Sequence, residues 1–198
     1  MSPAIVPLVE GHSEVQGVPV LLRRMLAGLN LPHVDVARPF RVKRLRVVRE
    51  GELERAVRLA LPNREGAAAL LLILDADDDC PATLGPRLLQ RIEALNTGVP
   101  AAVVLANREL EAWFLGAKAS LRGVRGIRPD AVALPSPETI RDAKGELSQN
   151  MAGKRYLEVD DQPALAAEMD LAEAERTCPS FARFVREVRR LAAAIPAE

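Results

Sequence analysis

The chain has 198 residues and balances 27 Lys and Arg against 27 Asp and Glu, so net charge draws it neither to nucleic acid nor to an anionic surface, and any such attraction must come from a local patch. Hydrophobic residues make up 48% but aromatics only 3%, which requires a core of Leu, Val, Ile and Ala and fits an α/β protein. Cys80 and Cys178 lack metal-ligand spacing and no run approaches the roughly 20 apolar residues of a membrane span, so free thiols, a reducing compartment and a cytoplasmic location are expected.

Ala4 to Val9 is a short apolar run closed by Glu10 and Gly11, the pattern of a buried strand ending in a tight turn. Ser13 then serves as N-cap of a helix, with Glu14 and Gln16 in its first turn and LLRRMLAGLN as its body. From Phe40 the stretch RVKRLRVVRE reads as a second strand. GELERAVRLALPN comes next as an amphipathic helix with Leu53, Ala56, Val57 and Leu61 on its apolar face. AAALLLILD is a near-continuous aliphatic strand, as in a parallel sheet covered on both faces.

LGPRLLQRIEALN is the next helix, VPAAVVLAN the next buried strand and LEAWFLGAKASL a further helix. Residues 122–137, rich in Gly and Pro, read as a loop; the remainder of the chain is mostly helical, with a frayed end over 196–198. The alternation predicts one domain over residues 1–195: an open, mainly parallel sheet of about four strands flanked by helices (1–117), then a mostly helical C-terminal part (118–195).

In open α/β sheets ligands gather beyond the carboxyl ends of the strands. Three of the predicted strands are followed there by acids: Glu10 after the first, Asp75 and Asp77 after the third, Glu109 and Glu111 after the fourth. Side chains alternate along an extended chain, so Asp75 and Asp77 point the same way if strand geometry lasts through Ala76. With Glu10 they offer the oxygen ligands a hard cation needs, Mg²⁺ before Mn²⁺. The competing reading of DADDD is a solvated turn and helix start, which suits Asp78 and Asp79.

Between Arg38 and Arg49 lie six basic residues, Arg38, Arg41, Lys43, Arg44, Arg46 and Arg49, and no acid. On a strand, alternation sends Lys43 to one face and Arg44 and Arg46 to the other. Such a strip either tracks the phosphates of DNA or RNA or simply blocks edge-to-edge aggregation. Trp113 is expected to pack its helix onto the sheet and so fix Glu111, and His12 and His33 read as surface residues. No GxxxxGK[ST], HExxH, paired CxxC or GxSxG occurs, which disfavours P-loop, zinc and triad chemistry.

VEGHSE (9–14), DAD (75–77), RELEAWFL (108–115), GKRY near Lys154 and the closing SFARF helix together resemble the Toprim domain as it occurs in the DUF4276 family, related to overcoming-lysogenization-defect nucleases. The resemblance covers nearly the whole chain. It implies a compact α/β fold that holds Mg²⁺ for phosphodiester chemistry, with Glu10 as metal ligand or general acid/base, Glu14 as the second acid of its motif, and Asp75 and Asp77 as metal ligands. Glu111, with Glu109 beside it, would be the acid after the fourth strand. A later lysine would stabilise charge at the phosphate: Lys154 matches by position, with Lys144 and Arg155 able to fill the role. The resemblance also implies a phage-defence or mobile-element setting and a separate ATPase of the ABC or SMC type as partner. The rival expectations are a non-catalytic scaffold of the same fold that binds a protein or nucleic acid, and a phosphotransfer domain, which would want a Lys on the last strand that the sequence lacks.

Overall fold

The computed structural model describes residues 2–62, 66–132 and 134–196. In chain order the elements are β1 (Ala4–Val9), α1 (His12–Gly28), β2 (Asp35–Val36), β3 (Phe40–Arg41), α2 (Arg44–Val47), α3 (Glu52–Ala60), β4 (Ala67–Asp75), α4 (Pro81–Glu93), β5 (Ala101–Ala106) and α5 (Glu111–Gly116). After two short 3-10 turns come α6 (Ala143–Gln149), α7 (Glu158–Glu168), α8 (Leu171–Thr177) and α9 (Pro179–Ala193). The pairings between these strands are parallel, in the order β2-β1-β4-β5, with β3 also on β1. The aliphatic run of β4 explains its central place, because only a strand covered on both faces can bury consecutive side chains. Ala69, Leu71 and Ile73 enter one core with Val18 and Leu22 of α1 and Phe184 of α9; Leu70, Leu72 and Leu74 enter the other with Leu53 and Val57 of α3 and Leu88 of α4.

The expected second strand is corrected by the structure. Four steps along β1, from Ala4 to Leu8, are matched by five on the outer chain, from Asp35 to Phe40, so the edge splits into β2 and β3. Pro39 lies in the gap, where a residue without an N–H costs the ladder no bond. The Val42 N–H still bonds the Val9 carbonyl at 2.8 Å, and the chain then coils into α2. Helical spacing turns Arg44 and Val47 inward and leaves Leu45 and Arg46 in solvent, a division that strand alternation does not give.

Among the described residues α3 ends at Ala60; the predicted helix extension to Asn63, Ala133 of the predicted loop and the last two residues of the predicted frayed end lie outside them. Trp113 is fully buried, edge-on to Phe181 at 5.1 Å and stacked on Phe184 at 5.3 Å, so it ties α5 to α9. Cys80 and Cys178 are free thiols, the first exposed and the second buried. No helix among the described residues is long and apolar enough to cross a membrane.

Candidate active site

The carboxyl end of β1 runs into Glu10 and Gly11, and Gly11 caps α1. Its N–H donates to the Glu14 carboxylate three residues on, so VEGHSE folds as strand, turn and capped helix with Glu14 buried in the first turn. At the end of β4, Asp75 Oδ1 accepts the Leu110 N–H at 2.8 Å, which draws the start of α5 onto the strand end. Glu111 comes immediately after, buried, its Oε1 accepting the Tyr156 hydroxyl at 3.2 Å. Lys144 on α6 donates its backbone N–H to Glu109 Oε2 at 3.2 Å and sets its Nζ 3.3 Å from Glu158 Oε1 at the start of α7.

Glu14 is the acid common to the others, its charge adding to the effect of burial on Glu10, Asp75 and Glu111. Burial, reinforced by Glu14 and Asp77, raises the pKa of Glu10. Burial likewise raises Glu14, and burial with the charges of Glu111 and Glu14 puts Asp75 well above the usual range. Glu111 is pushed up from 4.5 to about 7, again chiefly by burial. Burial works against the Lys144 ammonium, but Glu111, Glu158, Asp75 and Glu109 outweigh it, so this lysine stays charged. Removed from water and crowded by their own kind, the acids favour protons or a cation between them.

The donor chemistry fits a hard divalent ion, since all the groups are carboxylate oxygens and Glu10 Oε2 is buried with no hydrogen-bond partner among the described residues. As the side chains stand, no three His, Cys, Asp or Glu among the described residues form a group that could hold a metal.

Asp77 shows why. Its φ of +50° ends the strand geometry at Ala76, so the expected common direction of Asp75 and Asp77 is lost. The Asp77 side chain is 57% exposed and pairs with Arg44 Nη1 at 3.0 Å. Arg44 also donates to the Ala76 carbonyl at 2.8 Å and to Asp79, while Asp78 meets Arg108 at 3.2 Å and Arg141 at 3.1 Å. Three of the four crowded aspartates are thus matched by arginines, and Asp75 by the field of Lys144.

Arg44, expected as a phosphate contact, is buried as an internal brace, whereas Lys43 and Arg46 are exposed. Lys154 pairs with the fully buried Asp161 at 2.6 Å, alongside Arg125 at 2.9 Å, and secures the first turn of α7. The lysine that stands among the acids is Lys144, the positional substitute. Tyr156 and Glu158 contact the candidate residues Glu111 and Lys144 and are missed by sequence reasoning; their only signal is a Tyr and an acid flanking a helix start in KRYLEVDD.

The raised acids give stability a definite pH dependence. A carboxyl whose folded pKa exceeds its unfolded one holds more protons when folded, so stability falls as pH rises between the two values. For Glu111, from 4.5 to about 7, the loss is about 3 kcal/mol at about 1.4 kcal/mol per pH unit; Asp75, Glu14 and Glu10 act in the same direction. Urea denaturation in chelator at pH 5 and pH 8 should show a less stable protein at pH 8, and Glu111→Gln should flatten the difference without abolishing it. An unchanged slope would contradict the burial of Glu111.

No curated protein matches the chain. Among solved structures, the C-terminal region of the Xanthomonas campestris pv. campestris OLD protein is similar with a TM-score of 0.49 and 19% identity, over 96% of this chain and 95% of that one. The model described as "Domain of unknown function (DUF4276)" matches residues 9–189, which is nearly all of the sequence, and the chain belongs to the DUF4276 family.

Proposed function

We propose that this chain is a Mg²⁺- or Mn²⁺-dependent nuclease with a Toprim-like fold that hydrolyses nucleic-acid phosphodiesters, in the cytoplasm and beside a separate ABC- or SMC-type ATPase in a phage-defence or mobile-element module. The observation that carries the reading is a set of buried or part-buried carboxyls from three remote parts of the sequence at the carboxyl ends of parallel strands, linked through Glu14, whose charge adds to burial in raising Glu10, Asp75 and Glu111.

Glu10, Asp75 and Glu111 would hold the cation, with Glu14 and Glu109 beside them; Asp77 joins only on leaving Arg44. A bound divalent ion polarises the phosphoryl oxygen and lowers the pKa of a bound water. Glu10, whose second oxygen is buried without a partner among the described residues, is alternatively suited to take the proton of the attacking water. Lys144 supplies positive charge to the phosphate from within the acid cluster. Lys154 is less suited to that role, because it is held by the buried Asp161, and leaving would give up one of the two cations that balance that carboxylate.

One observation favours the scaffold reading. The side chains as they stand form no cation site among the described residues, and Arg44 occupies Asp77. The two readings separate in a cleavage assay on supercoiled plasmid, single-stranded DNA and structured RNA with Mg²⁺, Mn²⁺ or chelator, with and without the ATPase. Cutting that needs the metal and is lost in Glu10→Gln supports the nuclease. Equal cutting by both proteins refutes the assigned residues, and no cutting under any condition leaves the scaffold.

A further inference from the structure

The short helix α2 walls two surface cavities that share Lys43 and Arg46, one of which reaches Glu10. One, of about 350 Å³, is lined by Glu10, Lys43, Arg44, Leu45, Arg46 and Arg49. The other, of about 290 Å³, lies on the far side of Lys43 and Arg46, with Phe40, Arg55 and Leu59 among its walls. Both volumes sit near the lower end of small-ligand pockets, roughly 300–1,000 Å³. Lys43 and Arg46 are shared between them and form the partition.

Lys43, Arg46, Arg49 and Arg55 make no ion pair among the described residues, unlike Arg44 and Arg91, which are committed to carboxylates. The first cavity therefore has surplus positive charge, with Glu10 as its one acid. Leu45 stands in this ring of cations with 73% of its surface exposed, and Leu59 is 44% exposed at the second cavity. Free phosphate has no use for exposed leucines, and a partner protein that buried them would have to bring several acids to match the cations. A nucleic-acid strand brings both chemistries at fixed spacing: a phosphate for each cation and a flat apolar base for each leucine. In a relaxed duplex the base faces are stacked away, whereas a single strand or a distorted step presents them.

We infer that α2 is the strand-selecting element of the proposed nuclease, holding two consecutive unstacked nucleotides in the paired cavities, with their linking phosphate on Lys43 and Arg46 and a base against Leu45. This rests on the nuclease reading for its setting, since it brings a phosphate to Glu10, but it is tested by binding alone. Arg44 stays out of the contact and keeps α2 docked on the β4 turn through Asp77, Asp79 and the Ala76 carbonyl.

The test is fluorescence anisotropy of the full chain, in chelator so that nothing is cut, with labelled single-stranded DNA, single-stranded RNA and the matching duplexes across a salt series. The single strands of either sugar should bind tighter than their duplexes. Lys43→Ala and Arg46→Ala should each weaken all strands and reduce the salt slope on single strands by about 0.7. Leu45→Ser should weaken single strands about fivefold, with the slope unchanged, as expected for a lost base contact. Thermal melts of the variants, whose changes are on the surface, confirm that the fold is kept. Equal affinity for single strand and duplex, insensitivity to Leu45→Ser, or absence of nucleic-acid binding overturns the inference. Selective binding by a protein that never cuts overturns the nuclease reading and leaves α2 as a strand-selecting surface.

Discussion

Asp75→Asn is expected to give a protein that folds as well as the wild type and does not cut. The replacement is isosteric, and its amide oxygen still accepts the Leu110 N–H that Asp75 accepts at 2.8 Å. Burial and the charges of Glu111 and Glu14 already penalise the ionised form of Asp75, so removing that charge should leave stability unchanged or raise it above neutral pH. Catalysis is different. An ionised carboxylate is needed to hold the cation, whose charge stabilisation is worth several kcal/mol in the transition state. At about 1.4 kcal/mol per tenfold, losing it lowers the rate on the order of 10³-fold. The measurements are a plasmid-cleavage rate with Mg²⁺ or Mn²⁺ and a urea melt on the same preparations. A stable variant that cuts at the wild-type rate removes Asp75 from the site; an unstable one shows that its charge supports the fold.

The second large effect concerns the support of the site. Trp113 is fully buried, stacked on Phe184, edge-on to Phe181, and donates Nε1–H to Ser180 Oγ at 2.7 Å. Trp113→Ala should cost about 3–5 kcal/mol, the usual range for a large aromatic cut back to methyl in a core. Against a typical net stability of about 5–15 kcal/mol this is a large fraction, so the variant should melt far below wild type. Trp113→Phe keeps a ring among its neighbours and gives up the N–H, and should cost about 1–2 kcal/mol for the hydrogen bond and lost area. Circular dichroism in urea measures both. A Trp113→Ala loss under 1 kcal/mol would mean that α5 does not depend on α9.

The parts of the fold legible in the sequence are those dictated by local pattern. The aliphatic runs of β1, β4 and β5 have no amphipathic reading, so only a strand covered on both faces accommodates them, and the acids beyond them fall where strand ends must be. The stretch after Phe40 misleads because Phe40, Arg41, Val42 and Lys43 alternate apolar and basic side chains as a period-2 strand does. What decides its conformation is remote: Arg44 reaches the β4 turn, and the energy of pairing with Asp77 and Asp79 favours a coil that turns it inward. The direction of Asp77 escapes the sequence because the alternation that aligns it with Asp75 assumes extended backbone through Ala76, and β4 ends at Asp75 with Asp77 in the left-handed region.

At the site, Glu10, Glu14 and Glu111 can be read from motif spacing because each lies within a few residues of a strand end. Lys144 enters the sequence reading only as an alternative to Lys154, because its nearness to Asp75 and Glu111 depends on how α6 folds back over more than 30 intervening residues. Tyr156 is of the same kind, joined to Glu111 across 45 positions.

The chain contains a single tryptophan. That indole rides on the same helical turn as Glu111, two residues along, walled by α9 on its other side. Its emission therefore comes from one known place, undiluted by other fluorophores of its kind. Any rearrangement that α5 undergoes when the carboxylates lose protons or gain a counter-ion is carried to this ring, so the molecule has its own optical gauge and needs no added dye.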